Sequence, residues 1–293
     1  MWKRTVRALA RRLAWPLRAS RFVSPERVFR HLHFKGPFAL RLPNGRAITL
    51  QSWGNRVENE LAWRGWDGHE PVERRLWAAM VKTHGDVLDI GANTGTFAFQ
   101  AKGLREEAKV VAVEPLRRIA ARIKQNAETS GLAVEVQNVA VSDVTGRLPI
   151  HDPGGDNAYS ASLAEDFLPG DKDVYEVEVV TIDELCRREG LRPTSIKLDV
   201  EGVEARALLG ARATLQRGEC VILCEWLGKE KESGDALTLL SDTGYVGLDC
   251  ETLEPVELAR QASYAHRNVL LVPEGRLEEV KRSWPRHSQP HGV

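Results

Sequence analysis

Acidic residues and glycines stand at the ends of three apolar segments, where they could hold a ligand and take part in acid–base chemistry. The segment VLDIGANTGTF carries Asp89, Gly91 and Gly95. The segment VVAVEP ends in Glu114, and the segment IKLDVEG carries Asp199. A carboxylate at the end of the second strand of a nucleotide-binding sheet can accept hydrogen bonds from ribose hydroxyls. A carboxylate beside a reacting hydroxyl can accept its proton.

The glycine loop after Asp89 fits neither of two common phosphate-binding motifs. The dinucleotide motif G-x-G-x-x-G needs a second glycine where Asn93 stands, and the phosphate loop needs a lysine after Gly95. Gly91 stands where the chain must turn sharply, and Gly95 where the first helical turn must pass close to a ligand or to the sheet. The remaining pattern, D-x-G-x-x-x-G, presents backbone N–H groups that can hold a carboxylate.

The acids of the fourth predicted strand are candidates for the chemical step. Asp199 and Glu201 lie on one side of the strand if it continues through Glu201. They could act as a general base, or hold Mg²⁺ together with Glu225 at the end of the fifth strand. His266 is a further candidate base, and Lys197 could pair with an acid. The alternatives without chemistry are a helix cap for Glu201, a structural role for Asp199 and a surface position for His266.

Composition indicates a globular protein without a membrane-spanning helix. The 293 residues have zero formal net charge, so no overall field attracts nucleic acid. No apolar run approaches the roughly 18 residues of a transmembrane helix, and the N-terminus lacks the features of a signal peptide. The cysteines form no metal-binding motif, and we predict that they are buried and reduced. These features favour a cytoplasmic location.

Residues 1–35 predict a basic helix, with ten lysines and arginines against one acid. The helix could lie on the inner face of an anionic membrane as a peripheral contact. Alternatively, its leucines could pack on the protein and leave a solvated basic face. The dipeptide Asn44-Gly45, between alternating apolar residues, then predicts a β-hairpin with a type I′ turn. We therefore predict an N-terminal extension of helix and hairpin over residues 1–70.

From residue 71 the sequence alternates helices and strands. Pro71 suits the first position of a helix that should end at Gly85, and Thr181 with Glu184 predicts a capping box. The alternation predicts an α/β fold with a doubly wound, mostly parallel sheet over residues 71–273, followed by a tail at 274–293. The glycine-rich segment HDPGGDNAYSASL could close over a substrate or remain a surface loop. The predicted strands are DVLDIG, KVVAVEP, VEVQNVAV, SIKLDV, VILCEW, GYVGLD and NVLLVP.

The motif D-x-G-x-x-x-G is similar to the first motif of the S-adenosylmethionine-dependent methyltransferases. Together with VVAVEP, QNVAVSD, VVTIDEL, SIKLDVEGVEARALLGA and VILCEW, it resembles the FkbM family of these enzymes, from about residue 86 to 272. The resemblance implies a Rossmann-like class I methyltransferase sheet of seven strands, the last of them antiparallel. It also implies methyl transfer to an oxygen, often a hydroxyl of a sugar, a glycan or a natural-product-like small molecule.

The resemblance assigns S-adenosylmethionine as the cofactor of the candidate binding residues. The backbone of Ala140 should meet the adenine ring, while Asn138 and Asp143 compete to read its amino group. The candidate cofactor-binding residues are Asp89, Gly91, Asn93, Gly95, Glu114, Asn138, Ala140 and Asp143.

Two other functions remain open at this point. An NAD-dependent oxidoreductase shares an acid in the position of Glu114 but needs the missing glycines. A non-catalytic, membrane-associated partner protein that retains the fold would explain the basic N-terminus. The sequence contains no signal for nucleic-acid binding and does not indicate an oligomeric state.

Overall fold

The computed structural model describes residues 33, 35–152, 154, 162–163, 173–228, 230–259 and 267–283. The predicted basic helix lies almost entirely outside the described residues, as do His266 and most of the glycine-rich segment 151–163. In the described part of the chain, no helix is long and apolar enough to cross a membrane.

Helices and strands alternate along the chain after an N-terminal hairpin. The helices are α1 (Arg56–Arg64), α2 (Pro71–Met80), α3 (Thr96–Leu104), α4 (Arg117–Ser130), α5 (Ile182–Glu189), α6 (Glu204–Leu209), α7 (Arg212–Gln216), α8 (Ser233–Asp242) and α9 (Leu277–Ser283). The strands are β1 (Gly36–Arg41), β2 (Ala47–Ser52), β3 (Asp86–Ile90), β4 (Val110–Val113), β5 (Val134–Gln137), β6 (Ala140–Val141), β7 (Gly146–Asp152), β8 (Asp173–Val180), β9 (Pro193–Leu198), β10 (Val221–Trp226), β11 (Tyr245–Asp249) and β12 (Arg267–Pro273).

The central sheet has seven strands in the order β11-β12-β10-β9-β3-β4-β5. Its neighbouring strands from β10 to β5 run parallel, while β12 is antiparallel to both β10 and β11. Since helices cover both faces, successive residues of β3 belong to different cores: Val87 to the core with α2 and α3, Leu88 to the core with α5 and α8. The topology confirms the predicted doubly wound α/β fold with an antiparallel last strand.

The predicted hairpin forms, but its turn is not of type I′. The Leu42 N–H donates to the Arg46 carbonyl at 2.8 Å, and the Gly45 N–H donates to the Leu42 carbonyl at 2.9 Å. Gly45 has a φ of 84°, whereas Asn44 is absent from the residues with positive φ, and a type I′ turn needs both. The Asn44 side chain instead donates to the Gly103 carbonyl at 3.0 Å. This contact holds the hairpin loop against α3.

The hairpin and α1 belong to the same hydrophobic core as the sheet. Phe38, Leu40, Ile48 and Leu50 are buried in one cluster with residues of α2, α3 and β3. A Cβ on Gly103 would lie 2.3 Å from the Leu42 side chain, so the hairpin approaches α3 closely. The described part of the predicted extension is therefore packed into the domain.

One predicted helix end differs from the structure. Helix α2 begins at Pro71 as predicted, but it ends at Met80 and not at Gly85. Gly85 instead adopts a φ of 110° in the turn before β3, where a Cβ would collide with the side chain of Thr194. The prediction was wrong because the glycine is required by the turn into the strand.

Half of the predicted capping box is present at the start of α5. The Glu184 N–H donates to the Thr181 hydroxyl at 3.0 Å. The Glu184 carboxylate, however, accepts hydrogen bonds from the side chains of Arg187 and Arg188. Ion pairing on the helix surface thus replaces the predicted reciprocal bond.

A second, three-stranded sheet was not predicted. Its order is β6-β8-β7, and β6 pairs in parallel with β8. The segment VEVQNVAV was predicted as one strand, but it leaves the central sheet after Gln137 and enters this small sheet at Ala140. Asn138 lies at the break, where its amide donates to the carbonyls of Glu114 and Pro115 at 2.8 Å each.

Candidate functional site

A pocket opens at the carboxyl ends of β3, β4, β9 and β10. Its walls come from the glycine loop, Glu114, residues 139–141, the chain after β9, and Glu225. Residues 69–70, just before α2, complete the lining. Ligands of doubly wound sheets bind at this edge, where neighbouring connections leave in opposite directions.

Gly91 allows β3 and β9 to meet at the floor of the pocket. Its φ is 75°, and a Cβ at this position would lie 1.7 Å from the carbonyl oxygen of Asp199. The Asp199 N–H donates to the Ile90 carbonyl at 3.1 Å, which fixes the two strand ends together. The predicted sharp turn is present, and a side chain here would displace Asp199.

Gly95 has a different role from the one predicted. Its φ is 74°, and a Cβ would lie 2.9 Å from the side chains of Ile123 and Phe99. The close approach that this glycine permits is therefore between α3 and α4. Gly95 is not among the residues that line the pocket.

Asp89 connects the end of β3 to the start of α3. Its carboxylate accepts a hydrogen bond from the Ala98 N–H at 2.9 Å, in the first turn of the helix. Burial raises the pKa of Asp89 to about 6, although the positive charge of Lys197 opposes the shift. Asp89 also lines the pocket, so its carboxylate ties α3 to the end of β3 at the pocket wall.

Glu114 lies at the end of β4 and is also buried. Its carboxylate accepts hydrogen bonds from the N–H groups of Leu116 at 2.9 Å and Asn93 at 3.0 Å. Burial raises the pKa of Glu114 to about 7. The carboxylate thus joins the glycine loop to the start of α4 on the pocket wall.

Asn93 leaves a buried acceptor in the pocket lining. It adopts a positive φ of 49°. Its side-chain oxygen is buried and has no hydrogen-bond partner in the described structure. An unsatisfied buried oxygen is unfavourable, and a ligand with an N–H or O–H donor would satisfy it. S-adenosylmethionine carries such donors, so this loop fits the implied cofactor.

Of the three residues predicted near adenine, one lines the pocket and two do not. Ala140 lines the pocket, next to Val139 and Val141. Asn138 and Asp143 do not line it. The Asn138 amide is committed to two backbone carbonyls, and Asp143 pairs with Arg206 at 2.8 Å. Neither side chain is therefore placed to read a base in this pocket.

A buried lysine and two carboxyl groups lie side by side at the ends of β9 and β10. Lys197 Nζ is 2.6 Å from Asp199 Oδ2, and it lies 4.7 Å from the centre of the Phe97 ring. The carboxyl of Glu225 is hydrogen-bonded to Asp199, and burial together with the charge of Asp199 raises the pKa of Glu225 to about 10. The upward shift favours the protonated form of Glu225, which can donate to Asp199. The predicted pairing of Lys197 with an acid is confirmed.

Glu201 reaches the pocket by a route that strand alternation did not predict. Strand β9 ends at Leu198, and Glu201 adopts a φ of 57° in the turn that follows. Burial, then the charge of Asp199, raises the pKa of Glu201 to about 8. The capping alternative is wrong, because the Glu230 carboxylate accepts the Ala205 N–H of α6 at 2.7 Å.

The sequence profile of the methyltransferase FkbM domain matches residues 89–246, which is more than half of the chain. The chain belongs to the FkbM methyltransferase family. This confirms the predicted family, and the matched segment carries the glycine loop, Glu114, Asp199, Glu201 and Glu225.

Individual relatives resemble this FkbM methyltransferase over part of their length. The 2-O-methyltransferase NoeI of Sinorhizobium fredii (strain NBRC 101917 / NGR234) is 29% identical over 159 residues, which are 50% of this chain and 65% of NoeI. The match therefore covers slightly less than two thirds of that relative.

Solved methyltransferase structures give partial matches. Methyltransferase FkbM from Methylobacillus flagellatus KT is 18% identical with a TM-score of 0.42, covering 73% of this chain and 52% of that one. Aeropyrum pernix fibrillarin in complex with natively bound S-adenosyl-L-methionine is 16% identical with a TM-score of 0.40, covering 83% of this chain and 96% of that one.

Sequence reasoning missed the contribution of α2 and the residues before it to the site of this methyltransferase. Arg74 is fully buried and donates to Thr96 Oγ1 at 2.9 Å, to Gln100 Oε1 at 3.2 Å and to the His69 carbonyl at 2.8 Å. Its guanidinium carbon lies 4.5 Å from the centre of the Phe97 ring. Arg74 therefore ties α2 to the first turn of α3, beneath the pocket.

The described residues give no support to the predicted magnesium set of Asp199, Glu201 and Glu225. No group of three or more histidines, cysteines, aspartates or glutamates among them is arranged to hold a metal ion. Lys197 occupies one side of Asp199, and the proton of Glu225 occupies another. The cysteines are buried thiols, as predicted.

Proposed function

We propose that this protein is an O-methyltransferase that uses S-adenosylmethionine to methylate a hydroxyl of a sugar, a glycan or a similar natural-product-like small molecule. The observation that carries this proposal is the placement of Asp199 and Glu201 in the same pocket as the glycine loop. A hydroxyl needs a proton acceptor as its oxygen forms a bond to carbon. The relative NoeI is a 2-O-methyltransferase, which supports an oxygen as the acceptor atom.

The donor half of the pocket contains the groups that would hold S-adenosylmethionine. Glu114 would accept hydrogen bonds from the ribose hydroxyls, and Ala140 would lie against the adenine. The N–H groups of the glycine loop would hold the carboxylate of the amino-acid end, and Asn93 Oδ1 would accept a further hydrogen bond. When bound, the cofactor supplies an electrophilic methyl group on a cationic sulfur.

Glu201 is the proposed general base. Its raised pKa of about 8 makes it a stronger base than an ordinary glutamate, while leaving an ionised fraction at neutral pH. As the new carbon–oxygen bond forms and the carbon–sulfur bond breaks, the hydroxyl proton passes to Glu201 and then to solvent at the pocket mouth. His266, outside the described residues, remains a predicted alternative base.

Asp199 is the proposed orienting group for the acceptor hydroxyl. Lys197 and the protonated Glu225 fix its position by direct contacts. A carboxylate fixed in this way can hold a hydroxyl in line with the methyl group, and alignment itself supplies much of the rate of such displacements.

The test is a calorimetric titration with S-adenosylhomocysteine, with NAD⁺ as the control ligand, followed by transfer of labelled methyl groups to a panel of methyl glycosides. We expect S-adenosylhomocysteine to bind and NAD⁺ not to bind, and we expect one or more glycosides to be methylated. If neither ligand binds, the proposed donor is wrong. If the product binds but no glycoside is methylated, the proposed class of acceptor is wrong.

A further inference from the structure

The segment just before α2 forms one wall of the pocket. The proposed binding of the cofactor and the proposed proton transfer assign no role to its side chains. Val57 of α1, His69 and Glu70 all line the pocket. His69 Nδ1 lies 2.8 Å from a carboxylate oxygen of Glu60, and His69 Nε2 lies 3.4 Å from one of Glu70. The imidazole therefore bridges two carboxylates and fixes Glu70 at the pocket surface.

Glu70 is the accessible member of this wall. Its side chain is 30% exposed, compared with 18% for His69. Burial disfavours its charge, but the hydrogen bond from His69 and the charge of Lys197 lower the pKa of Glu70 to about 2. Glu70 is therefore an ionised hydrogen-bond acceptor that faces the cavity across the range of working pH.

Glu70 lies on the acceptor side of the pocket. Its charge acts on Lys197 and also contributes to the raised pKa of Glu201, so it is near both groups. Glu114, which stands at the proposed ribose end, has no such coupling to Glu70 among the main causes of its own shift. All of these side chains line the same pocket, so a ligand held by Asp199 and Glu201 would also lie near Glu70.

The basic side chains of the pocket are already engaged. Among the described residues that line it, the basic ones are His69 and Lys197. Lys197 pairs with Asp199, and His69 is held between Glu60 and Glu70. Among the described residues of this lining, an anionic acceptor would therefore meet carboxylates without an unpaired cation to compensate its charge, and desolvating it would be unfavourable.

We propose that Glu70 accepts a hydrogen bond from a second hydroxyl of the acceptor, and that the acceptor is an uncharged polyhydroxyl compound. This inference rests on the proposed function, since it concerns the acceptor half of the same site. His69 acts as a positioning residue for Glu70.

The test compares Glu70→Gln with a matched control, Glu73→Gln, which lies on the first turn of α2 but outside the pocket lining. Each variant is assayed for its dissociation constant for S-adenosylhomocysteine, and for KM and kcat with methyl glycosides of neutral sugars. We expect Glu70→Gln to raise KM by about tenfold or more, because a charged hydrogen bond is lost. We expect unchanged affinity for S-adenosylhomocysteine, and no change in either quantity for Glu73→Gln.

Two further comparisons sharpen the result. Replacing a neutral glycoside by the corresponding uronate should lower kcat/KM in the wild type, and Glu70→Gln should recover part of the loss. A His69→Gln variant should raise the KM for glycosides, as Glu70→Gln does, and should leave the affinity for S-adenosylhomocysteine unchanged.

Several outcomes would overturn the inference. Weaker binding of S-adenosylhomocysteine with an unchanged glycoside KM would place Glu70 at the donor's amino group. Equal KM values for Glu70→Gln and the wild type, or equal use of uronate and neutral glycoside, would also refute it. In those cases the wild type still methylates glycosides, so the proposed function survives. If the wild type binds the product but methylates no glycoside, both proposals fall together.

Discussion

The carbonyl oxygen of Asp199 lies 1.7 Å from the position that a Cβ on Gly91 would occupy. The turn that opens the donor half of the pocket and the strand end that carries the acceptor-side carboxylate are therefore in direct contact. A side chain at position 91 would affect both halves at once.

Gly91→Ala should lower the free energy of unfolding by more than alanine does at another glycine with a positive φ. Gly131 has a similar φ of 66° with nothing within 4 Å of its Cβ position, so Gly131→Ala is a matched control. The control should lose roughly 1–2 kcal/mol of unfolding free energy from backbone strain. Gly91→Ala should lose more and should also weaken binding of S-adenosylhomocysteine. Equal losses in chemical denaturation would show that the contact with Asp199 is unimportant.

Glu114→Ala should weaken donor binding. The substitution removes the predicted partner of the ribose hydroxyls, and also leaves the N–H groups of Asn93 and Leu116 without their acceptor. Loss of charged hydrogen bonds corresponds to a decrease in affinity of about tenfold or more. Calorimetry with S-adenosylhomocysteine measures the change, and the exposed Glu107→Ala serves as a control. Equal affinity in wild type and Glu114→Ala would refute the ribose assignment.

Asp199→Asn should retain donor binding and lose most turnover. The amide keeps the shape of the side chain but removes the negative charge that pairs with Lys197 and accepts the hydrogen bond of Glu225. The fixed hydrogen-bond pattern at the acceptor hydroxyl would be lost, so kcat should fall while the dissociation constant for S-adenosylhomocysteine remains within about twofold. An unchanged kcat would exclude Asp199 from the chemical step.

The pH dependence of turnover should report the ionisation of Glu201. A general base acts when deprotonated, and burial raises the pKa of Glu201 to about 8. Activity should therefore rise as the pH increases through about 8 and then level off. Glu201→Gln should abolish this rise. A profile that is flat from pH 6 to about 9 in the wild type would identify another group as the base.

The sequence predicted those parts of the site that lie at the ends of apolar strands. Asp89, Glu114 and Asp199 follow buried segments, and parallel strands bring their carboxyl ends to one edge, so their proximity was predictable. Glu201 was placed in the pocket for the wrong reason, because β9 ends before it and a turn with positive φ returns the chain.

Other parts of the site depend on contacts that no local pattern records. Arg74 and its neighbour Arg75 look alike in the sequence, yet Arg74 is buried beneath the pocket and Arg75 pairs with Asp67 near the surface. Glu70 is hydrogen-bonded to its neighbour His69, but it also feels the charge of Lys197, which is distant in the chain. Motif position left Asn138 and Asp143 as competing readers of adenine, whereas backbone carbonyls occupy the amide of Asn138 and Arg206 pairs with Asp143.

The position of β12 also determines when the site can be completed during synthesis. This strand lies between β10 and β11, and Glu225 stands opposite Asn268 in its register. Because chains emerge from the ribosome with the N-terminus first, β10 keeps an open edge, and β11 lacks this neighbour, until residues 267–273 have been translated. The strand that carries Glu225 is therefore enclosed only after residues 267–273 have been translated, so a nascent chain cannot finish its acceptor side before that point.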